Sequence, residues 1–423
     1  MKNMFSKGTI ALAILLATST LNASDTRGLY SDYVYDDIAD THTSITTAYK
    51  VGDKGIYSAT VNSDQTGFGL PTLVSDELSK EKGWDDNKHL AVKESYGDGL
   101  IVFGDTGVRT VSLDGNASRS KFLLNDFGYD QGWRNDKHIR MINHSAIIGF
   151  GDLGVKIAKP DYGSSTAGYH NAQLVLNDFG YNQGWRKDEH VRLVGNIGSM
   201  TTAIIGFKDA GVIVSAGDYN YTTSQYNNFT QPTLFLNDFG NNQGWSNEKH
   251  IRTVIHTSWL LPIIIGFGDT GVSSAILNST QDGFETKQLV VHDFGYNQGW
   301  RKDKHLRLID IVTEQWGDGD IIGFKDNNVY VSKGNGDGTF EAPQIWLANG
   351  FGYNQGWRVG RDKRMLFDVN GDGYKDIVGF KNDQIYVSLN NNGSNFANPQ
   401  LWLKDFKENF AFLIPILSII SED

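Results

Sequence analysis

The sequence predicts an all-β fold, a seven-bladed β-propeller of four-stranded antiparallel blades, and three observations predict it. A phrase of the type Asn-Asp-Phe-Gly-Tyr-Asn-Gln-Gly-Trp-Arg occurs in six near-copies, with its tryptophans at Trp84, Trp133, Trp185, Trp245, Trp300 and Trp357. A second phrase, Ile-Ile-Gly-Phe-x-Asp-x-Gly-Val, recurs once per unit, its aromatic at Phe103, Phe150, Phe207, Phe267, Phe324 and Phe380, with a weaker seventh copy at Tyr49. The composition, with 48 glycines, 12% aromatics and 7 prolines, suits many short strands joined by tight turns. Self-similarity at about 50 residues marks radial or solenoid repeats. A chain of 423 residues would ordinarily divide into two or three domains, but stacked repeats share one continuous core.

The chain begins with a processing segment. Lys2 and Lys7 make a positive start, Ile10 to Ala17 a short apolar run, and Leu21-Asn22-Ala23 a small-residue cleavage site before Ser24. These are the parts of a secretory signal peptide over residues 1–23, and the apolar run is too short to span a bilayer. The expected product is a secreted or periplasmic protein, residues 24–423, forming a single propeller.

Unit 6 shows the blade most clearly. His305 to Asp310 alternates polar and apolar residues, the mark of a half-buried strand, and Asp320 to Phe324 is an apolar run suited to a buried one. A turn at Lys325 to Asn328 leads to Val329–Ser332, and a second, at Gly334 to Gly338, leads to Gln344–Leu347. Four strands in one repeat are the content of a propeller blade. Units start near residues 29, 83, 132, 184, 244, 299 and 356. The first lacks the Gly-Trp phrase and has Tyr33-Val34-Tyr35 where a His-x-Arg strand would stand, so ring closure is expected there. The apolar tail, residues 410–423, has no repeat counterpart and offers a strand to blade 1 or a cover for a sheet edge.

Without residues 1–23 the chain keeps 36 of its 38 basic residues and all 49 acidic ones, a balance of −13. That excludes the basic stripe that nucleic acid requires and argues against anionic membranes. No membrane insertion is expected, since Pro415 interrupts a tail too short to span. Cysteine is absent, so no disulfide supports this exported fold.

The phrases Asn177-Asp178-Phe179-Gly180-Tyr181-Asn182-Gln183-Gly184-Trp185-Arg186 and Ile321-Ile322-Gly323-Phe324 resemble the repeats of the seven-bladed propeller lectins, the family of the Psathyrella velutina and Photorhabdus lectins, with units of the FG-GAP/VCBS kind. The resemblance covers nearly the whole mature chain. It implies a lectin whose sugars (fucose-like, N-acetylglucosamine or O-methylated glycans) bind between adjacent blades, lined partly by the Gly-Trp loop. It also implies that oligomers form.

Sugar recognition needs a flat aromatic face for the pyranose ring and convergent polar groups for its hydroxyls, and the phrase carries both. The candidate residues are Tyr129, Gln131, Trp133 and Arg134 in unit 3, and Tyr181, Asn182, Gln183, Trp185 and Arg186 in unit 4. Unit 6 has Tyr296, Asn297, Gln298, Trp300 and Arg301, and unit 7 has Tyr353, Asn354, Gln355, Trp357 and Arg358. Unit 5 offers Asn242, Gln243 and Trp245 but departs at Asn241 and Ser246, and unit 3 has Asp130 for the Asn. Unit 2 keeps Trp84 but has Glu81-Lys82-Gly83 before it and Asp85 after it, which argues against a site there. Two readings of the tryptophans stand side by side: a stacking platform for sugar, or a wedge that packs neighbouring blades.

His89, His138, His190, His250 and His305, with Asp362 in their place in unit 7, belong to different blades. A zinc centre needs several ligands together, so a blade-to-blade hydrogen bond or an edge of the sugar pocket is expected instead. One metal motif is specific. Asp368, Asn370, Asp372 and Asp376 occupy positions 1, 3, 5 and 9 of a glycine-containing loop, with Tyr374 able to add its carbonyl. This is an oxygen set for one structural calcium ion; the alternative is a solvated Asx turn. Position 12 is Gly379, so the loop is not an EF-hand, and Asp310, Asp318 and Asp320 are a lengthened relic of it in unit 6.

Three function classes follow. A secreted multivalent lectin binding glycans on cell surfaces uses the repeated polar-aromatic set; sites of about 1 mM, worth about −4 kcal/mol each, gain by avidity on a rigid ring. A propeller glycosidase or lyase needs paired carboxylates, and Glu94, Glu285 and Glu314 form no evident pair. A protein-binding propeller, an adhesin or toxin subunit, calls for one exposed apolar patch.

Overall fold

The computed structural model describes residues 47–404 and 410–414, except 53, 85–89, 94–98, 114–120, 134–138, 143–145, 162–167, 187–190, 198–200, 221–224, 247–248, 257–261 and 314–318, together with the two short paired segments 17–18 and 31–32. The rest of the leader, Tyr33 to Tyr35, His89, His138, His190, Arg134, Glu94, Glu314, Asp318 and the tail beyond 414 lie outside the described residues.

Seven antiparallel sheets follow one another along the chain, five of them made of four consecutive strands in simple order. Blade 6 consists of Leu306–Asp310, Asp320–Phe324, Val329–Ser332 and Gln344–Leu347, within one residue of the segments expected from its alternation. Blade 4 departs by extension: its third strand, Gly211–Asn220, pairs with Gln225–Phe229 as well as with the fourth strand Thr233–Leu236. In blade 1 the first strand comes from the other end of the chain, since Phe410–Ile414 pairs with Thr47–Gly52. The two ends of the chain thus meet in one sheet, and the ring is hydrogen-bonded shut.

The seventh copy of the Gly-Phe phrase needs correction. In blade 4, Phe207 pairs with Val212 beside Gly211, and in blade 1 the same place is held by Val51, which pairs with Ile56 beside Gly55. Register therefore puts Val51, not Tyr49, at the repeat's aromatic position. A two-residue offset keeps the same face, which is why the alternation alone did not expose it.

The hydrophobic core is divided into seven clusters, one for each junction between neighbouring blades. The cluster between blades 6 and 7 joins Val329, Val331 and Trp346 to Trp357, Leu366 and Phe396; the closing one joins Val378 and Trp402 of blade 7 to Ala48, Ala59 and Phe68 of blade 1. Several junctions are stapled by an aromatic in the loop between third and fourth strands. Phe396 donates its N–H to the Trp346 carbonyl at 3.0 Å, Phe284 to that of Phe235 at 3.0 Å, and Phe68 to that of Trp402 at 3.2 Å. Each of these bonds runs back to the fourth strand of the preceding blade, so every blade needs its neighbour. All seven fourth strands end a sheet, and in all seven the pairing to the third strand slips by a bulge. Bulges turn exposed edges away from strand addition.

The two repeated phrases meet at a glycine. A Cβ built on Gly323 of the Gly-Phe phrase would lie 2.4 Å from Trp300 and 2.6 Å from Phe294, and the same overlap occurs at Gly149, Gly206, Gly266 and Gly379. The indole and the phenyl of one Gly-Trp loop lie against bare backbone of the next blade, a separation no side chain permits. Blade 2 has Val102 at this position, and there Trp84 is only half-buried. Gly323→Ala is expected to lower unfolding stability by about 1–3 kcal/mol through overpacking, read as a lower denaturant midpoint. An unchanged midpoint would show that the indole has room to move.

Candidate functional site

Each Gly-Trp loop leaves a fourth strand, turns sharply and settles on the following blade. The turn is made by a phenylalanine in the left-handed region, with φ of 61° at Phe127, 59° at Phe179, 60° at Phe239, 62° at Phe294 and 54° at Phe351. For a bulky residue that is strained backbone, costing about 1–3 kcal/mol each. The preceding aspartate secures it. Asp293 accepts from the Phe294 N–H at 2.5 Å and from the Trp300 indole N–H at 2.7 Å, and Asp126, Asp178 and Asp238 do likewise. In unit 7 Gly350 stands where the aspartate would be.

The Arg of the His-x-Arg strand completes the clamp. Arg307, 1% exposed, donates to the Phe294 carbonyl at 2.7 Å and lies 5.3 Å over the ring of Phe267 in the preceding blade. Arg252 and Arg364 repeat both contacts. Burial lowers the pKa of Arg307 to about 9. The blade-to-blade contact expected of the histidines is thus made by the arginines two residues on.

The two described histidines of this series, His250 and His305, instead stay within their own blade. His305 accepts from the Arg301 N–H at Nδ1, 3.0 Å, and its Nε2 lies 3.1 Å from Asp326; His250 joins Ser246 to Asp269 in the same way. Nδ1 must be bare to accept, so each ring is neutral with its proton on Nε2, donated to the aspartate. Asp362 does the same work in unit 7, accepting from the Arg358 N–H at 2.8 Å.

The tryptophans are packing residues. Trp185 and Trp300 are 1% exposed, and Trp133, Trp245 and Trp357 are 5–6%. One face of each indole meets the strained phenylalanine, with ring centroids 4.6 Å apart for Phe179–Trp185 and 4.9 Å for Phe294–Trp300. A lysine covers the other: Lys208 lies 5.1 Å over Trp185, Lys325 5.1 Å over Trp300 and Lys381 5.3 Å over Trp357. Where glycine replaces that lysine, at Gly151 and Gly268, another lysine reaches in from a different strand or loop. Lys156 bonds Asp126 near Trp133, and Lys287 bonds Asp238 over Trp245. Both faces being taken, the indoles offer no open platform for a sugar ring. The wedge reading of the tryptophans is the one their burial supports.

The glutamines are also engaged within the loop. Gln183 donates to Asn177 at 3.0 Å and Gln243 to Asn237 at 2.9 Å, while Gln355 accepts from the Gly352 N–H. Gln298 donates to the Thr270 carbonyl and Gln131 to that of Thr106, both in the turn beneath.

What the loops display is a stacked pair. Tyr296 opens a 3-10 turn, Tyr296–Gln298, and the Arg301 guanidinium lies 3.8 Å over its ring while donating to its carbonyl at 2.6 Å. Arg358 on Tyr353, at 3.8 Å, and Arg186 on Tyr181, at 4.0 Å, repeat the pair. Tyr181 is half exposed, and Asn182, Asn242, Asn297 and Asn354 are exposed beside it. Tyr129 opens the equivalent turn in unit 3.

Two junctions add residues that the phrase did not point to. Lys249, from the loop of blade 5, lies 5.2 Å over Tyr296 and is paired with Asp269 at 2.8 Å. Lys304 lies 5.4 Å over Tyr353 in the next junction, where the adjacent His305 reaches Asp326. Lys249 holds the Asp269 carboxyl below the usual carboxylate range. Cation, carboxylate, amide and tyrosine thus converge where one loop meets the next, a combination suited to a polyhydroxylated ligand. The signal in the sequence was the lysine immediately before the repeated histidine.

The Asp368 loop does not draw its carboxylates into a cage. Asp368 accepts from the N–H groups of Gly371 and Gly373, Asp372 from that of Tyr374, and Asp376 from those of Val369 and Asn390. Among the described residues no three His, Cys, Asp or Glu side chains are grouped so as to hold a metal ion. Burial first, and then the nearby Asp372 and Asp368, raise Asp376 to about 7. In blade 6 Asp310 pairs with Lys375 of this loop at 2.6 Å, and Asp320 bonds the N–H groups of Val312, Thr313 and Gly334.

No family model and no curated protein matches the chain. Among solved structures, a lectin of Agrocybe aegerita that specifically recognises non-reducing terminal N-acetylglucosamine is similar, with 28% identity over 95% of this chain and 100% of that one and a TM-score of 0.79. The Photorhabdus luminescens Tc holotoxin pore aligns with 86% of this chain and 18% of that one at 14% identity, with a TM-score of 0.38, a distance at which nothing follows for this chain.

Burial lowers the pKa of His250 to about 4 and shifts His305 the same way. Below about pH 6.5 the unfolded chain takes up protons that the folded rings refuse, so stability present above that pH is lost as pH falls towards 4. For His250 the loss is on the order of 3 kcal/mol. Urea unfolding of the wild type and His250→Asn at pH 7.5, 6, 5 and 4.5 checks this as the difference between the two proteins, since Asp376, raised to about 7, acts in the opposite direction equally in both. Identical pH slopes in the two proteins would contradict it.

Proposed function

We propose that the protein is an exported, multivalent carbohydrate-binding propeller, with its sites at the junctions where one Gly-Trp loop meets the next. The observation that carries this reading is the repeated display of an arginine-stacked tyrosine beside an exposed asparagine, as at Tyr296, Asn297 and Arg301. Repetition of a polar display around a ring fits several equivalent weak sites, not the single asymmetric constellation of a catalyst. The likeness to an N-acetylglucosamine-recognising lectin over nearly the whole chain supports terminal N-acetylglucosamine as the sugar, ahead of the fucose-like and O-methylated glycans also considered. The leader over residues 1–23 supports export.

A glycan array probed with the mature protein is expected to light up glycans ending in N-acetylglucosamine and to be cleared by the free sugar. An array left blank by folded protein would overturn the reading.

Calcium at the Asp368 loop is a second part of the proposal. Its support is the oxygen-rich series Asp368, Asn370, Asp372 and Asp376, gathered in one short loop. Calcium about 100-fold above its dissociation constant should stabilise the fold by about 2.7 kcal/mol, seen as a rise in melting temperature that Asp372→Asn removes. A melting temperature indifferent to calcium and EDTA would refute it.

A further inference from the structure

Resting on the carbohydrate reading, we infer that the tyrosine–arginine stack is the element that selects the ligand, and that the junction between blades 4 and 5, which lacks it, is silent. Unit 5 separates scaffold from display. It retains the strained Phe239, the buried Trp245, the Asp238 bond to the indole, the Gln243 contacts and the His250–Asp269 pair. The fold of its loop is therefore intact. Yet Tyr has become Asn241 and Arg has become Ser246.

The two replacements make sense only together. The guanidinium of Arg301 or Arg358 rests on the tyrosine ring and bonds the tyrosine's own carbonyl, so either residue alone loses its support. The aspartate, phenylalanine, glutamine, tryptophan and histidine of the loop all remain when both go. A pair that the scaffold does not need is present in units 3, 4, 6 and 7 for what it presents to the outside. At the altered junction Asn241 turns instead to Asp209, donating at 3.1 Å, which occupies the turn carboxylate beneath. The result is an amide bonded to a carboxylate, without the aromatic ring and stacked guanidinium of the other loops.

The remaining junctions sort by sequence. Units 3, 4, 6 and 7 carry both Tyr and Arg, as Tyr129 with Arg134, Tyr181 with Arg186, Tyr296 with Arg301 and Tyr353 with Arg358. Unit 2 has Lys80 and Asp85 at those positions, and the chain after Leu403 passes into the closing strand with no Gly-Trp phrase. Four active sites per chain follow.

Calorimetric titration with N-acetylglucosamine tests this. The wild type should bind four equivalents, Asn241→Tyr/Ser246→Arg five, and Tyr296→Asn/Arg301→Ser three, with melting temperatures alike in all. Equal stoichiometry in the wild type and the Asn241→Tyr/Ser246→Arg variant would overturn the inference while leaving the carbohydrate reading in place. So would a Tyr296→Asn/Arg301→Ser protein that keeps all its sites. No binding by the folded wild type would remove the carbohydrate reading and this assignment with it.

Discussion

An indole lying against a glycine holds this ring together. Trp300 and Phe294 can approach the Gly323 backbone only because no Cβ intervenes, and to bring both rings there the chain must pass through a left-handed phenylalanine. Five such residues carry a combined strain of several kcal/mol. Burial of two aromatic side chains per junction offsets it, at roughly 1.5–3 kcal/mol for a fully buried phenylalanine. Charge-assisted bonds from the indole and the backbone to Asp293 add to this. The buried Arg307 then joins the strained carbonyl to a ring of the preceding blade. Remove the glycine and each of these contacts has to move.

That constraint explains the division of labour around the loop. The atoms that face inward, from the aspartate, phenylalanine, glutamine, tryptophan and lysine, are committed to one another. Only the tyrosine, its arginine and the neighbouring asparagine face out. The lysine shows how firmly the inner set is held: when Gly151 and Gly268 remove the usual lysine, Lys156 and Lys287 arrive by another route to the same indoles. The outer set is free to vary, as Asn241 and Ser246 show. A rigid ring with separable display positions is a physical basis for multivalency, because each junction can change its surface without disturbing its neighbours.

The fold was legible because its signals are periodic and local. The strands of blade 6 follow from alternation and from turns at Asp326 to Asn328 and at Gly334 to Gly338, features that act within a few residues. The role of the tryptophans was not legible, because a ring has two faces and only three-dimensional neighbours show that both are covered. Its trace in the sequence was the glycine of the Gly-Phe phrase, on another blade. The staple between blades was missed for a similar reason: Asn62 to Phe68, Asn278 to Phe284 and Asn390 to Phe396 share a six-residue spacing, yet their partners lie in the preceding unit. Lys249 and Asp269 belong to one blade but complete a cluster on the next, so neither stood out within its own repeat.

The central claim is that sugar meets the stacked tyrosine and arginine while the indole behind them stays sealed. A crystal structure of the protein soaked in N-acetylglucosamine tests it most directly. The account predicts sugar density against Tyr296 and Arg301, with Trp300 still covered by Phe294 and Lys325. Sugar lying on the Trp300 ring, with Lys325 displaced, would contradict it.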